Sequence, residues 1–401
     1  MARGASLLTA LVVVCGCGGM ASAQTTTDAA PDSRTQYPAF LSNSYFGLGA
    51  GSINYPFSGR QLESGFRVES VDVHHPAVRI VLFGHRFHKY LSAQVGYTRP
   101  VQWVSYNHLN GDDSSHSVRI AMGDVALKSQ VPITSRVALY GEAGIAMVSQ
   151  TGFTIDEAPV VAHKRFGAPL VGAGLEYSLN PTWDVVAGAT FVRRIGQPIA
   201  LGSLGFRYNM RPLPAERVQE ARDAGFIFPK HLVQLSFVTN ALGYGLNNAV
   251  SSKAPVFWGG DVQVARGATV RYQRNLFHTR SRLALDAGLS VSLLKSDSVG
   301  ENFLAVSAYP LVRWTFLRTT AADVFLSYSI AGPSFLSRRI IDRNDTGSRF
   351  SFQDLMGIGM FVSRSRNIFV QLDISHYSNG NIFSQNPGIK IPATITLGRG
   401  F

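Results

Sequence analysis

Hydrophobic and polar residues alternate along most of this chain. Between positions 137 and 145, Val137, Leu139, Gly141, Ala143 and Ile145 occupy one register and Ala138, Tyr140 and Glu142 the other. A period of two gives a strand with one oily and one polar face. Segments of this kind recur at 45–54, 77–87, 90–106, 117–131, 136–150, 168–179, 183–193 and 201–209. They resume at 231–242, 259–273, 281–294, 304–316, 323–331, 349–362, 367–376 and 390–401. Short polar connections such as Asn180-Pro181-Thr182 alternate with longer ones such as 107–116, as tight turns and long loops do at the two ends of an up-and-down barrel. The fold class expected is therefore all-β, a transmembrane antiparallel barrel protein.

The pattern breaks at 211–230, where Pro212, Pro214 and the polar run from Glu216 to Asp223 favour helix or linker over strand. Each set of eight strands returns the chain to its starting side, so the preferred architecture is two tandem eight-stranded barrels, 40–210 and 231–401, joined by a linker at 211–230. A single sixteen-stranded barrel is the rival, disfavoured because turns on the periplasmic side are short and this junction is not.

Composition sharpens this picture. Arg3, the apolar run from Leu7 to Val14 and Ala21-Ser22-Ala23 form a signal-peptide pattern over 1–23, with 24–39 a polar, unstructured leader. Acylation at Cys17 is the alternative processing. Both cysteines fall in the segment to be removed, so no disulfide is expected in the mature chain. Only 15% of residues are charged while 45% are hydrophobic, and no stretch is long and apolar enough for a membrane helix. The expected location is the bacterial outer membrane.

The net charge of +12 suits either solvated loops or anionic lipid head groups. Its basic residues are scattered, which speaks against nucleic acid as a partner. Six of the ten histidines lie between His74 and His116, but the spacing of His85 and His88 puts them on opposite faces of a strand, so no metal and no cofactor is expected. Trp103, Trp183, Trp258 and Trp314 fit interfacial anchoring.

The chemistry concentrates near the C-terminus. In 367–376, Ile368, Val370, Leu372 and Ile374 form the oily register, and His376 and Ser378 continue it. An imidazole and a hydroxyl two residues apart on one face meet the minimum geometry of a base-activated serine. If that face looks outward, the pair faces lipid. Pairing across the turn at 363–366 sets Asp354 opposite His376 to within about one residue. Asp354 lies in the oily register among Phe352, Met356 and Ile358, where a carboxylate needs a partner, so it is a candidate to orient His376. Asp373 falls in the polar register and is expected inside the barrel. Ile391, Ala393, Ile395, Leu397 and Phe401 are read on one register, and the terminal aromatic resembles the insertion signal of outer-membrane barrels.

The segment from about 226 to 401 resembles the lipid A 3-O-deacylase family of PagL type. The matching residues are His376-Tyr377-Ser378-Asn379, Asn386-Pro387-Gly388, the stretch from Ala331 to Ser337 and that from Thr346 to Phe352. The resemblance implies an eight-stranded barrel with His376 as general base, Ser378 as nucleophile and Asn379 and Asn386 at the oxyanion site. It implies hydrolysis of an ester-linked acyl chain of lipid A, with lipopolysaccharide as partner. The family's acid, fourteen residues after the histidine, is replaced by Lys390. A cation cannot stabilise an imidazolium, so either catalysis is lost, leaving a structural or lipid-binding barrel, or Asp354 serves. The first barrel resembles generic OmpA-like barrels, with a pore, adhesin or scaffold as its open readings.

Overall fold

A computed structural model describes residues 34–156, 158–193, 198–253, 259–383 and 385–401. The signal-peptide pattern, most of the leader and Trp258 lie outside the described residues. In the first barrel, β1 (Ser44–Asn54), β2 (Pro76–His88), β3 (Leu91–Pro100), β4 (Ser115–Pro132), β5 (Val137–Thr151), β6 (Lys164–Ser178), β7 (Trp183–Val192) and β8 (Ile199–Met210) pair antiparallel in sequence order, and β8 returns to β1. In the second, β9 (His231–Thr239), β10 (Val262–His278), β11 (Leu283–Ser296), β12 (Asn302–Arg318), β13 (Ala322–Leu336), β14 (Phe350–Val362), β15 (Ile368–Ser378) and β16 (Ile389–Gly400) do the same, with β16 on β9. Two closed eight-stranded barrels, not one of sixteen strands, result. Between them 215–223 forms the helix α1 (Ala215–Asp223), and α2 (Gly245–Lys253) lies in the loop after β9.

Alternation explains the two surfaces. Outward positions such as Leu48, Ile145, Leu204, Leu289, Val306 and Leu397 remain exposed to the surroundings although apolar. A belt of that kind is stable only against hydrocarbon. Inward positions are polar and paired. In the first barrel Arg207 binds Glu176 and Asp184, Lys128 joins Glu176 at 2.5 Å, and Arg79 meets Glu142 at 2.9 Å. In the second, Arg271 holds Asp373 through both oxygens at 2.9 and 3.0 Å, and Arg313 holds Asp286 at 3.0 Å. These side chains fill both lumens, and at the long-loop end apolar clusters take over, with Tyr106, Ile120 and Val148 in one and Phe303, Tyr377 and Ile391 in the other.

Three local features depart from the sequence reading. The segment read as one strand over 90–106 is two: β3 ends at Pro100, which has no amide to continue the ladder, and 104–107 pairs separately with β4 and with 70–72. Residues 34–39, read as the end of an unstructured leader, are packed. Arg34 donates to Asn275 Oδ1 and to Phe228 O, and Tyr37 is buried against Phe277 and Met210, so this segment joins the short-turn ends of the two barrels. The third departure is in β16. Asp373 pairs with Thr394 but Ser375 with Ile391, a bulge around Pro392 that reverses the facing of what precedes it. Ile389 and Ile391 therefore turn into the lumen, out of register with Ile395 and Leu397, and Lys390 turns out.

Candidate active site

The site lies at the long-loop end of β15, whose facing follows from its burial. Gln371, Asp373, Ser375 and Tyr377 are lumenal and buried, while Ile368 and Leu372 are exposed on the outside. His376 and Ser378 share the outward register, so the reactive pair is outside the closed barrel. It is not open to the surroundings, however. The His376 side chain is 2% exposed, as is Ile374 below it, because loops fold over this part of the outer wall.

Those loops are built for close approach. Gly388, with φ of +67°, follows Asn386-Pro387 and lies directly over the ring; a Cβ placed on it would sit 3.0 Å from His376 Nε2 and 2.4 Å from Gly259 O. His376 Nε2 is 2.8 Å from Gly259 O, and since a carbonyl can only accept, the resting tautomer carries its proton on Nε2. Asp261 N donates to Pro387 O and Val262 N to Gly388 O, locking the loop after α2 onto the loop between β15 and β16. The contribution of Gly259 was not legible from the sequence, since it comes from more than a hundred residues away.

Ser378 is held from the far side. Asn386 Nδ2 donates to Ser378 Oγ at 2.9 Å, and the Gly380 amide reaches the same oxygen at 3.1 Å. Two donors converge on the hydroxyl, which is also 3.3 Å from Asn386 Oδ1 as a donor in its turn. Asn379 is different: it is buried, and its Nδ2 is directed to Thr346 O and Gln385 O, so its side chain ties the 346–349 loop to the 379–388 loop. Backbone N–H donors near Ser378 are expected from the sequence, but that Gly380 supplies one is not, because main-chain donors leave no residue signature.

Asp354 on β14 pairs with His376 in the β14–β15 register. Its Oδ2 is 3.7 Å from His376 Nδ1, and its Oδ1 accepts the Ala331 amide at 2.8 Å. Ala331 has φ of +54°, and the pairing of β13 with β14 shifts by one between Ser329 and Gly332. That bulge frees the Ala331 amide from the ladder and aims it at the carboxylate. Lys390 is the other register neighbour of His376, on β16, and its Nζ is 3.3 Å from Asn248 Oδ1 on α2. Among the described residues Ser378 and His376 share no hydrogen bond; each is held by its loop partners. Among the described residues no three His, Cys, Asp or Glu side chains are grouped to hold a metal ion.

Comparison with known proteins divides the chain as the barrels do. Residues 266–391 match the family described as lipid A 3-O-deacylase (PagL), and residues 41–216 match the OmpA-like transmembrane domain. Among solved structures, the outer membrane enzyme PagL is 16% identical, covering 43% of this chain and 99% of its own, with a TM-score of 0.30. The N-terminal β-barrel domain of Pseudomonas aeruginosa OprF is 14% identical, covering 42% and 98%, with a TM-score of 0.27. Neisserial surface protein A is 16% identical, covering 42% and 97%, with a TM-score of 0.28. No curated protein sequence matches. The first barrel is thus similar to OmpA-like transmembrane domains and the second to the lipid A 3-O-deacylase family, and the likeness of both points to the bacterial outer membrane.

Proposed function

We propose that this outer-membrane protein is an esterase that removes the acyl chain ester-linked at the 3-O position of lipid A, with Ser378 as nucleophile and His376 as base. The observation that carries the reading is the convergence on one outward-facing hydroxyl. Two donors point at Ser378 Oγ, an imidazole lies two residues away in the same register, and a carboxylate stands behind that imidazole. β15 runs from the short-turn end toward the long-loop end. With both termini in the periplasm, Ser378 comes level with the external leaflet, where lipid A resides.

The reaction needs the imidazole to change its proton. In the resting arrangement Nε2–H donates to Gly259 O, so Nε2 becomes a base only after the proton moves to Nδ1, on the side of Asp354. Nε2 then accepts the Ser378 proton as Oγ attacks the ester carbonyl carbon. Asn386 Nδ2 and the Gly380 amide meet the negative oxygen of the tetrahedral intermediate. Collapse breaks the bond to the sugar oxygen, which leaves with the proton from His376. Water, deprotonated by the same ring, attacks the acyl-enzyme and releases the fatty acid and free Ser378. Asp354 stabilises the imidazolium formed at each attack, the part that an acid at position 390 would otherwise take.

A second reading, a lipid-binding barrel that no longer reacts, is favoured by Lys390 and by the bond that ties His376 to Gly259. Incubating the full-length protein with lipid A and weighing the product separates the two. The esterase reading expects loss of one 3-hydroxyacyl chain with wild-type protein and none with Ser378→Ala. Unchanged lipid A with folded wild-type protein would overturn it.

A further inference from the structure

The loop that follows Ser378 crosses to the first barrel. A Cβ on Gly380 would stand 3.8 Å from the Tyr97 ring of β3, one on Gly123 of β4 would stand 3.8 Å from Ile382, and the guanidinium of Arg165 on β6 lies 4.8 Å from the centre of the Phe383 ring. The wall of the first barrel is therefore one side of the seam into which the reactive pair faces. Next to these contacts, at the long-loop end, that wall is polar where lipid-facing positions elsewhere are apolar. Arg119, Ser149, Thr151 and Arg165 all lie in the outward register, since their neighbours Ile120, Val148 and Ala168 are buried lumenal residues. The ladders place them together: Arg119 pairs with Thr151, and Ser149 with Arg165.

Two facts about this group call for a ligand. Ser149 Oγ and Thr151 Oγ1 are buried and have no hydrogen-bond partner among the described residues, and Ser149 as a whole is 1% exposed. Among the described residues no carboxylate pairs with Arg119 or Arg165, both of which are exposed and so open to a ligand from outside. A buried hydroxyl without a partner is costly, and an arginine on either side of it with no acid to accept from it leaves its donors to an anion. A tetrahedral dianion satisfies both, accepting from guanidinium forks and from hydroxyls at once.

We propose that Arg119, Arg165, Ser149 and Thr151 of the first barrel bind a phosphate group on the head of the lipid whose ester is presented to Ser378. This rests on the esterase reading for the identity of the lipid. It gives the first barrel a defined part in the site: it holds the head group while the second barrel cleaves the chain. A bilayer lipid enters the seam from the side, its phosphate at the level of the loops and its acyl chains below, against the apolar belts.

The test uses the full-length Ser378→Ala protein in detergent, which leaves bound lipid intact, and native mass spectrometry with three probes: bis-phosphorylated lipid A, the same lipid with its phosphates removed, and inorganic phosphate. Bis-phosphorylated lipid A should bind, and Arg119→Gln with Arg165→Gln should weaken it by about ten- to hundred-fold while the barrel keeps its heat-modifiable mobility. Arg60→Gln with Arg67→Gln, which removes the same charge from exposed loops, should change binding by less than about two-fold. Equal binding of the dephosphorylated lipid, equal loss in the two double variants, or inorganic phosphate binding as tightly as the lipid would each overturn the proposal. Head-group binding that follows these expectations while wild-type protein leaves lipid A uncut would sink the esterase and leave the phosphate site standing.

Discussion

Replacing Asp354 by asparagine removes one charge and almost nothing else. The Ala331 amide keeps an oxygen to donate to, so the bulge that positions residue 354 is retained. What is lost is the attraction between the carboxylate and the imidazolium that forms during each attack. At the 3.7 Å separation seen between Asp354 Oδ2 and His376 Nδ1, an effective dielectric near 20 gives about 4 kcal/mol. Only the share realised in the transition state affects the rate, and the carboxylate keeps 18% exposure, so about half of that, ~2 kcal/mol, is expected, or roughly thirty-fold in kcat. KM should stay near its original value, because the attraction develops only as the ring takes up the serine proton. The assay is initial-rate release of 3-hydroxy fatty acid from lipid A in mixed micelles, with kcat and KM separated. A further arm uses Lys390, the other register neighbour of His376: Lys390→Glu in the Asp354→Asn background supplies a new carboxylate and should recover about ten-fold of the lost rate. An Asp354→Asn protein whose kcat lies within about two-fold of the parent would refute the assignment of Asp354.

Gly388→Ala combines a strained φ of +67° with a Cβ only 3.0 Å from His376 Nε2, so it should displace the loop and lower kcat by about a hundred-fold while the barrel's gel mobility is unchanged. Arg271→Leu strands Asp373, whose side chain is fully buried, and should cost about 3–5 kcal/mol in urea unfolding followed by tryptophan fluorescence. Arg271→Met with Asp373→Leu should recover most of that stability, since the uncompensated charge is gone. In planar bilayers the protein should give no steady conductance, because the Arg207, Lys128, Glu176 and Asp184 network closes the first lumen; sustained single-channel steps would contradict this.

Alternation was enough to define strands, their number and the division into two barrels, because a side-chain period of two is a local property and each segment carries its own copy. It also put His376, Ser378 and Asp354 in outward registers and Asp373 inward, since parity propagates along an unbroken strand. Parity fails at a bulge, and a bulge is invisible in a hydrophobic pattern. The sequence alone set Ile391 and Ile395 on one face, whereas the irregularity at Pro392 separates them and carries Lys390 out beside His376. Tertiary structure alone decided what covers the reactive pair, from Gly259 and Gly388 on one side to the Gly380 amide on the other. It also decided that Arg119 and Arg165, which the sequence shows as two scattered cations, stand on either side of Ser149 and Thr151. Residues within one strand are related by its period, but residues brought together by closure of a barrel, or by two barrels meeting, are related only by the fold.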